Sequence, residues 1–150
     1  MEEYTELIIV LNDLIRINMD RGKALKKRIN NPENDSDVQL FKRLIRESTE
    51  FIEQLIMEVK KKSGKAINTD NNTSGTIYYS WKELKSWLLQ KKELSPLEMV
   101  QFETKSALQV YRKAIFEVTN IPADTLDLVA SQKALLKEDC EIIKAKLVLS

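Results

Sequence analysis

Four long stretches of this sequence repeat apolar residues every three or four positions, and this periodicity limits the fold more than any other feature. Residues at that spacing share one face of an α-helix. We therefore predict four long helices, at about residues 4–30, 36–62, 96–119 and 124–148. Only 3 Gly and 3 Pro occur in 150 residues, too few for the many turns of a β-sandwich. The sequence predicts an all-α protein.

The connections between these helices predict their directions. About five residues join the first helix to the second and the third to the fourth, and such short links make antiparallel neighbours. The connection over residues 63–95 is much longer, and it contains a short extra helix at about 78–90. It can return along a helix of roughly 37 Å. This favours two antiparallel hairpins joined by a long crossover, the ferritin-like arrangement, over a simple up-down-up-down bundle with the short helix as a lid.

Helix ends carry their own signals. Ser95-Pro96-Leu97-Glu98 has the cap, the proline and the returning glutamate of a helix start. Asn31-Pro32 predicts the end of the first helix.

Length and composition predict one domain, residues 1–150, in the cytoplasm. Net charge is +1, which gives no general attraction to nucleic acid. The single cysteine, Cys140, fits a reducing compartment. The run Leu7–Leu11 is too short for a membrane span, so we expect no membrane association.

The sequence contains no histidine. Its absence excludes Ser-His-Asp and Cys-His nucleophile pairs, HExxH zinc sites and the Glu-x-x-His pairs of a di-iron centre. We therefore predict no catalytic residues and no cofactor, and the sequence favours a protein that is not an enzyme.

Several short motifs resemble an uncharacterised bacterial ferritin-like family, a domain of unknown function. They are Val10–Ile15, Leu40-Phe41 after Asn31-Pro32, Trp81-xx-Leu84-Lys85, and Ala107–Ile115. The resemblance covers nearly the whole chain and implies a four-helix bundle with a crossover helix. It implies no activity.

The chain departs from that family where metal ligands would be expected. Members often carry Gly-Glu where this chain has Glu103-Thr104, and Asn-His-Asp where it has Asp139-Cys140-Glu141. If the family binds a metal there, the resemblance implies that this divergent member has lost ligands.

The middle of the predicted bundle is polar but neutral. The residues that we place in a mid-bundle polar layer are Asn18, Ser48, Thr104, Tyr111 and Cys140. Hydrogen bonds in such a layer fix helix register. A weaker alternative is a carboxylate-only iron or manganese site, drawn from acids beside the apolar stripes: Asp20, Glu47, Glu50, Glu103 and Glu138.

Two further features have a packing and a functional interpretation. Cys140 lies near Lys137 and Lys144, which would lower its pKa, but its apolar stripe favours a buried, inert thiol. The aromatic residues Tyr78, Tyr79, Trp81 and Trp87 lie near Lys82, Lys85, Lys91 and Lys92. Stacking on nucleic acid is conceivable there, but the stripe of the short helix favours packing.

Three functions remain open. The first, which the sequence favours, is a non-catalytic structural or protein-interaction module with a stress-related role. A homodimer would form through a second apolar stripe on the last helix: Leu128, Leu135, Ile142 and Leu149. The second is a degenerate iron- or manganese-binding protein. The third is a small-ligand carrier with room beside Gly22.

Overall fold

The computed structural model describes residues 4–30, 35–63, 75–90 and 93–149, which form five helices and no strand. The helices are α1 (Thr5–Ile29), α2 (Asp35–Ser63), α3 (Thr76–Leu89), α4 (Pro96–Glu117) and α5 (Ala123–Leu149). The all-α prediction is confirmed. No helix in these ranges is long and apolar enough to cross a bilayer.

Contacts at the helix ends give the directions of the four long helices. Lys62, at the end of α2, lies over the Tyr4 ring beside the start of α1, so these two helices are antiparallel. Lys62 also binds Asp124 at the start of α5, while Lys146 near the end of α5 binds Ser36 at the start of α2. Thus α5 is antiparallel to α2.

The pairing of α1 with α4 completes this pattern. Asn18 contacts Tyr111, and Arg28, ten positions further along α1, contacts Glu103, eight positions earlier in α4. These helices are antiparallel, so α2 and α4 run in the same direction. The connection between them therefore returns along the length of the molecule.

Helix α3 lies in that return and runs alongside α1. Gly75, just before α3, is bound by Asp13 near the start of α1, while Lys85 near its other end binds Glu103. The first backbone N–H groups of a helix lack partners within the helix. Gly75 has no side chain that could accept a hydrogen bond from these groups. A carboxylate of α1 takes this role: Asp13 accepts from the N–H groups of Gly75 (3.0 Å) and Tyr78 (3.1 Å).

The start of α4 has the capping box that its sequence predicts. Ser95 Oγ accepts from the Glu98 N–H at 3.1 Å, and Glu98 Oε1 accepts from the Ser95 N–H at 3.0 Å, with Pro96 at the first helical position. The helix ends at Glu117, two residues before the predicted end. Asn120 follows in the left-handed region (φ 59°), which asparagine tolerates better than most residues.

The apolar side chains form a larger and a smaller core cluster. The larger one holds Trp81 of α3 together with residues of the four long helices. The smaller one lies toward the joined ends of α1 and α2. Its buried members are Leu25, Leu40, Phe41, Leu44, Leu97, Val100 and Ile143. The helices that bury these two clusters also carry the polar groups of the candidate site.

Some features predicted from the sequence lie outside the described residues. They are the stop at Asn31-Pro32 and the residues Lys91 and Lys92.

Candidate functional site

Three buried polar side chains in the middle of the molecule form a chain that touches all four long helices. Asn18 Nδ2 donates to Tyr111 Oη at 2.8 Å, and Tyr111 Oη donates to Gln132 Oε1 at 2.7 Å. Gln132 Nε2 then donates to Gln54 Oε1 at 2.9 Å and toward the Phe51 carbonyl at 3.3 Å. Asn18 and Tyr111 are fully buried, and burial raises the pKa of the Tyr111 phenol, so the phenol remains a neutral donor.

Arg21 extends this chain and places a cation inside the protein. Its Nη1 donates to Asn18 Oδ1 and its Nη2 to Glu47 Oε1, both at 3.2 Å. Only 2% of the residue is exposed. The sequence predicts a neutral middle of the bundle, and that prediction is wrong. A guanidinium is tolerated here because a carboxylate and an amide oxygen satisfy it.

A second buried acid lies beside Glu47. Asp139 is 2% exposed, and Arg43 Nη2 donates to its Oδ1 at 3.4 Å. Burial, followed by the neighbouring Glu47 carboxylate, raises the pKa of Asp139 to about 8, although Arg21 and Arg43 oppose the shift. Asp139 is therefore protonated near neutrality and can donate a hydrogen bond to Glu47.

The other members of the predicted polar layer do not join this network. Ser48 and Thr104 are buried, but their hydroxyl groups donate within their own helices, to the carbonyls of Ile45 (2.8 Å) and Val100 (2.7 Å). Cys140 is half-buried against the larger core. Burial raises the pKa of its thiol, in agreement with the inert interpretation.

The space predicted beside Gly22 for a small ligand is narrow. A Cβ added at Gly22 would lie 3.1 Å from Ser48 Oγ, so α1 and α2 approach closely at this point. The glycine therefore serves helix packing, and the contact gives no support to a ligand cavity there.

The five acids of the carboxylate-only alternative do not form one cluster. Asp20 accepts from the Tyr78 hydroxyl (2.9 Å) and from Trp81 Nε1 (3.2 Å). Glu47 binds Arg21, as described above. Glu103 binds Arg28 and Lys85, and Glu50 and Glu138 are exposed. Within the described ranges, no group of three or more Asp, Glu or Cys side chains is arranged to hold a metal ion. These five acids therefore do not form a common ligand set in the described ranges.

A separate cluster of acidic and basic side chains joins the end of α2 to the start of α5. The Thr125 hydroxyl, fully buried, donates to Glu58 Oε2 at 2.6 Å, and Glu58 is itself only 7% exposed. Lys61 and Lys62 also bind Asp124, and they lower the pKa of its carboxyl group. The contacts explain this cluster as an anchor between two helices.

Comparison of the chain with protein-family models, with curated proteins and with solved structures found no match.

Proposed function

We propose that the chain is a ferritin-like bundle that acts as a structural or protein-interaction module in the cytoplasm. Its middle is filled by buried side chains that we call the Arg21 network: Asn18, Arg21, Glu47, Tyr111 and Gln132. The helix directions support the fold assignment, because α2 and α4 are parallel and α3 lies in the return between them. The observation that most supports a function without a metal is the buried guanidinium of Arg21. It lies among the side chains that would have to bind a metal in a bundle of this kind.

A fixed interior cation disfavours a second cation beside it. Arg21 occupies one oxygen of Glu47, and Arg43 donates to Asp139, so the two adjacent carboxylates already have positive partners. Iron or manganese would have to displace a proton and compete with both arginines. The degenerate metal-binding alternative is therefore the weaker proposal.

The interaction part of the proposal rests on the outer face of α5. Leu135, Ile142 and Leu149 are 43%, 39% and 87% exposed, and they recur every seven residues. The inner face of the same helix buries Val129 and Leu136 in the larger core. Leu128, the fourth residue of the predicted outer stripe, instead packs partly against that core. We propose that a second copy of the chain covers the outer stripe, since heptad-spaced leucine and isoleucine residues suit helix pairing.

Metal loading tests the first part of the proposal. Purified protein is incubated with ferrous iron under anaerobic conditions, or with manganese, then desalted and analysed for bound metal. We expect no stoichiometric metal in the wild type. One or more tightly bound ions per chain, lost in Glu47→Gln but retained in the exposed-site control Glu50→Gln, would refute the metal-free proposal.

Light scattering after size exclusion tests the second part. We expect a dimer for the wild type and a monomer for Ile142→Glu, with unchanged helical circular dichroism in both. Phe116→Glu is a matched control because Phe116 is 90% exposed on α4, away from the α5 stripe. A wild-type monomer at every concentration contradicts the dimer, and equal dissociation in both variants contradicts the assignment of its interface to the outer stripe of α5.

A further inference from the structure

A groove between α1 and α3 collects positive charge from both helices. It is lined by Lys23, Lys27 and Arg28 on α1 and by Lys82 and Lys85 on α3, and its volume is about 470 Å³. The chain as a whole carries only +1, so the groove is a local concentration of charge. Because the two rows of cations are far apart in sequence, only the packing of α3 along α1 brings them together.

Few carboxylates neutralise these cations. Asp20 is the acid among the lining residues, and its Oδ2 already accepts from Tyr78 and Trp81. One oxygen of Glu103 serves both Arg28 (3.1 Å) and Lys85 (2.7 Å).

The remaining lysines of the groove are exposed. In the part of the chain that the structure describes, no ion pair is found for Lys23, Lys27 or Lys82. The Nε of Arg28 is buried and has no hydrogen-bond partner in that part. These cationic groups of the groove are therefore available to bind an anionic ligand.

The lining of the groove also has a less polar part. It includes the methyl group of Ala24 and the rings of Tyr78 and Trp81. Lys82 Nζ lies 5.9 Å from the centre of the Tyr78 ring, and Lys85 Nζ lies 5.5 Å from the centre of the Trp81 ring. Both ammonium groups therefore lie within cation–π distance of aromatic rings that line the groove. The groove thus offers an apolar surface between two rows of cations.

We propose that this groove binds a small molecule that carries a diphosphate or triphosphate joined to a planar, uncharged group, as in a nucleotide. Two rows of cations suit two or more linked anionic groups better than a single one, because each row can bind its own phosphate. The volume lies in the range of small-molecule sites. The site is independent of the Arg21 network and of the α5 stripe.

Binding of ADP to the Trp87→Phe variant tests this proposal. Trp87 is half-exposed and stacks on Phe102, and phenylalanine can keep that stacking while leaving Trp81 as the sole tryptophan. We expect a saturable change in Trp81 fluorescence, with the affinity confirmed by calorimetry. Inorganic pyrophosphate should bind more weakly than ADP, and adenosine should not bind measurably. Affinity for ADP should fall with added salt.

Charge reversal on α1 provides the matched comparison. Lys27→Glu should weaken ADP binding about tenfold, because two units of charge change beside the phosphates. Lys26→Glu makes the same change at the preceding exposed residue, which does not line the groove, and should leave the affinity within about twofold.

Three outcomes overturn the proposal. One is the absence of any saturable binding by ADP and pyrophosphate. Another is equal weakening by Lys26→Glu and Lys27→Glu, which would show only a general charge effect. A third is binding of a single-stranded oligonucleotide without binding of ADP, which would assign the groove to nucleic acid. Because the metal and dimer experiments use other residues, their results do not affect this test.

Discussion

Replacing Asp139 by asparagine should change how the stability of the protein depends on pH. In the folded protein the pKa of Asp139 is raised to about 8, whereas an unfolded chain has a value near the ordinary 3.8. Between these values the folded state holds one proton more than the unfolded state. Stability conferred by this residue is therefore greatest at low pH and is lost as the pH rises toward the folded pKa.

The size of the effect follows from the proton count. One proton of difference changes the free energy of unfolding by about 1.4 kcal/mol per pH unit, or about 3 kcal/mol between about pH 5 and pH 7. Asparagine keeps the shape and an N–H donor for Glu47 but does not titrate.

Urea unfolding at several pH values between about 5 and 7 measures the slope. The difference between wild type and Asp139→Asn should change by about 3 kcal/mol across this range, with the variant gaining relative stability as the pH rises. Asp127→Asn is the control, because Asp127 is exposed on the same helix, and its curve should run parallel to that of the wild type. A flat difference for Asp139→Asn would show that Asp139 is ionised in the folded state and would refute the reasoning.

Three other substitutions test the packing. Tyr111→Phe removes the hydroxyl group that connects Asn18 to Gln132, and should lower the free energy of unfolding by about 1–3 kcal/mol; a neutral result would mean that water replaces the hydroxyl. Gly75→Ala would place a Cβ 2.8 Å from Asp13 Oδ2, so we expect a loss of about 1–3 kcal/mol and faster hydrogen exchange in α3; unchanged exchange would contradict the role of that contact. Ser95→Ala removes the side-chain cap of α4 and should cost about 1 kcal/mol by urea unfolding, while Ser95→Asp should restore most of it; equal stability of the alanine and aspartate variants would contradict the capping argument.

The sequence predicted where each helix begins and ends better than which of its faces is buried. Apolar periodicity and end signals such as Ser95 are local, so the observed helix bounds lie within two residues of the predicted ones. Tyr111 and Asn18 were assigned to the interior because they fall among apolar neighbours, and both are buried. The parallel directions of α2 and α4 could be predicted because they depend on the length of the connection between these helices.

The charged interior was missed because formal charge was taken to indicate a solvated position. Arg21 follows Asn18 by three residues and precedes Leu25 by four, which is the spacing of an inward face. Asp139 stands in the same relation to Leu136 and Ile143. This spacing was the available signal, and it should have outweighed side-chain charge.

The groove could not be predicted from periodicity. It requires Lys23 and Lys27 of α1 to face Lys82 and Lys85 of α3, and that depends on where α3 docks. The contacts of Asp13 and Asp20 with α3, and of Glu103 with Lys85, hold α3 at this docking position.

The cap that Asp13 provides also has a consequence for the order of folding. An isolated helix of 14 residues is marginal in water, and the start of α3 depends on a carboxylate 62 residues earlier in the chain. Helix α3 should therefore become stable only after α1 has formed and reached it. We expect the hairpin of α1 and α2 to assemble in the folding transition state and α3 to dock late, so that changes in α3 accelerate unfolding and leave the folding rate nearly unchanged.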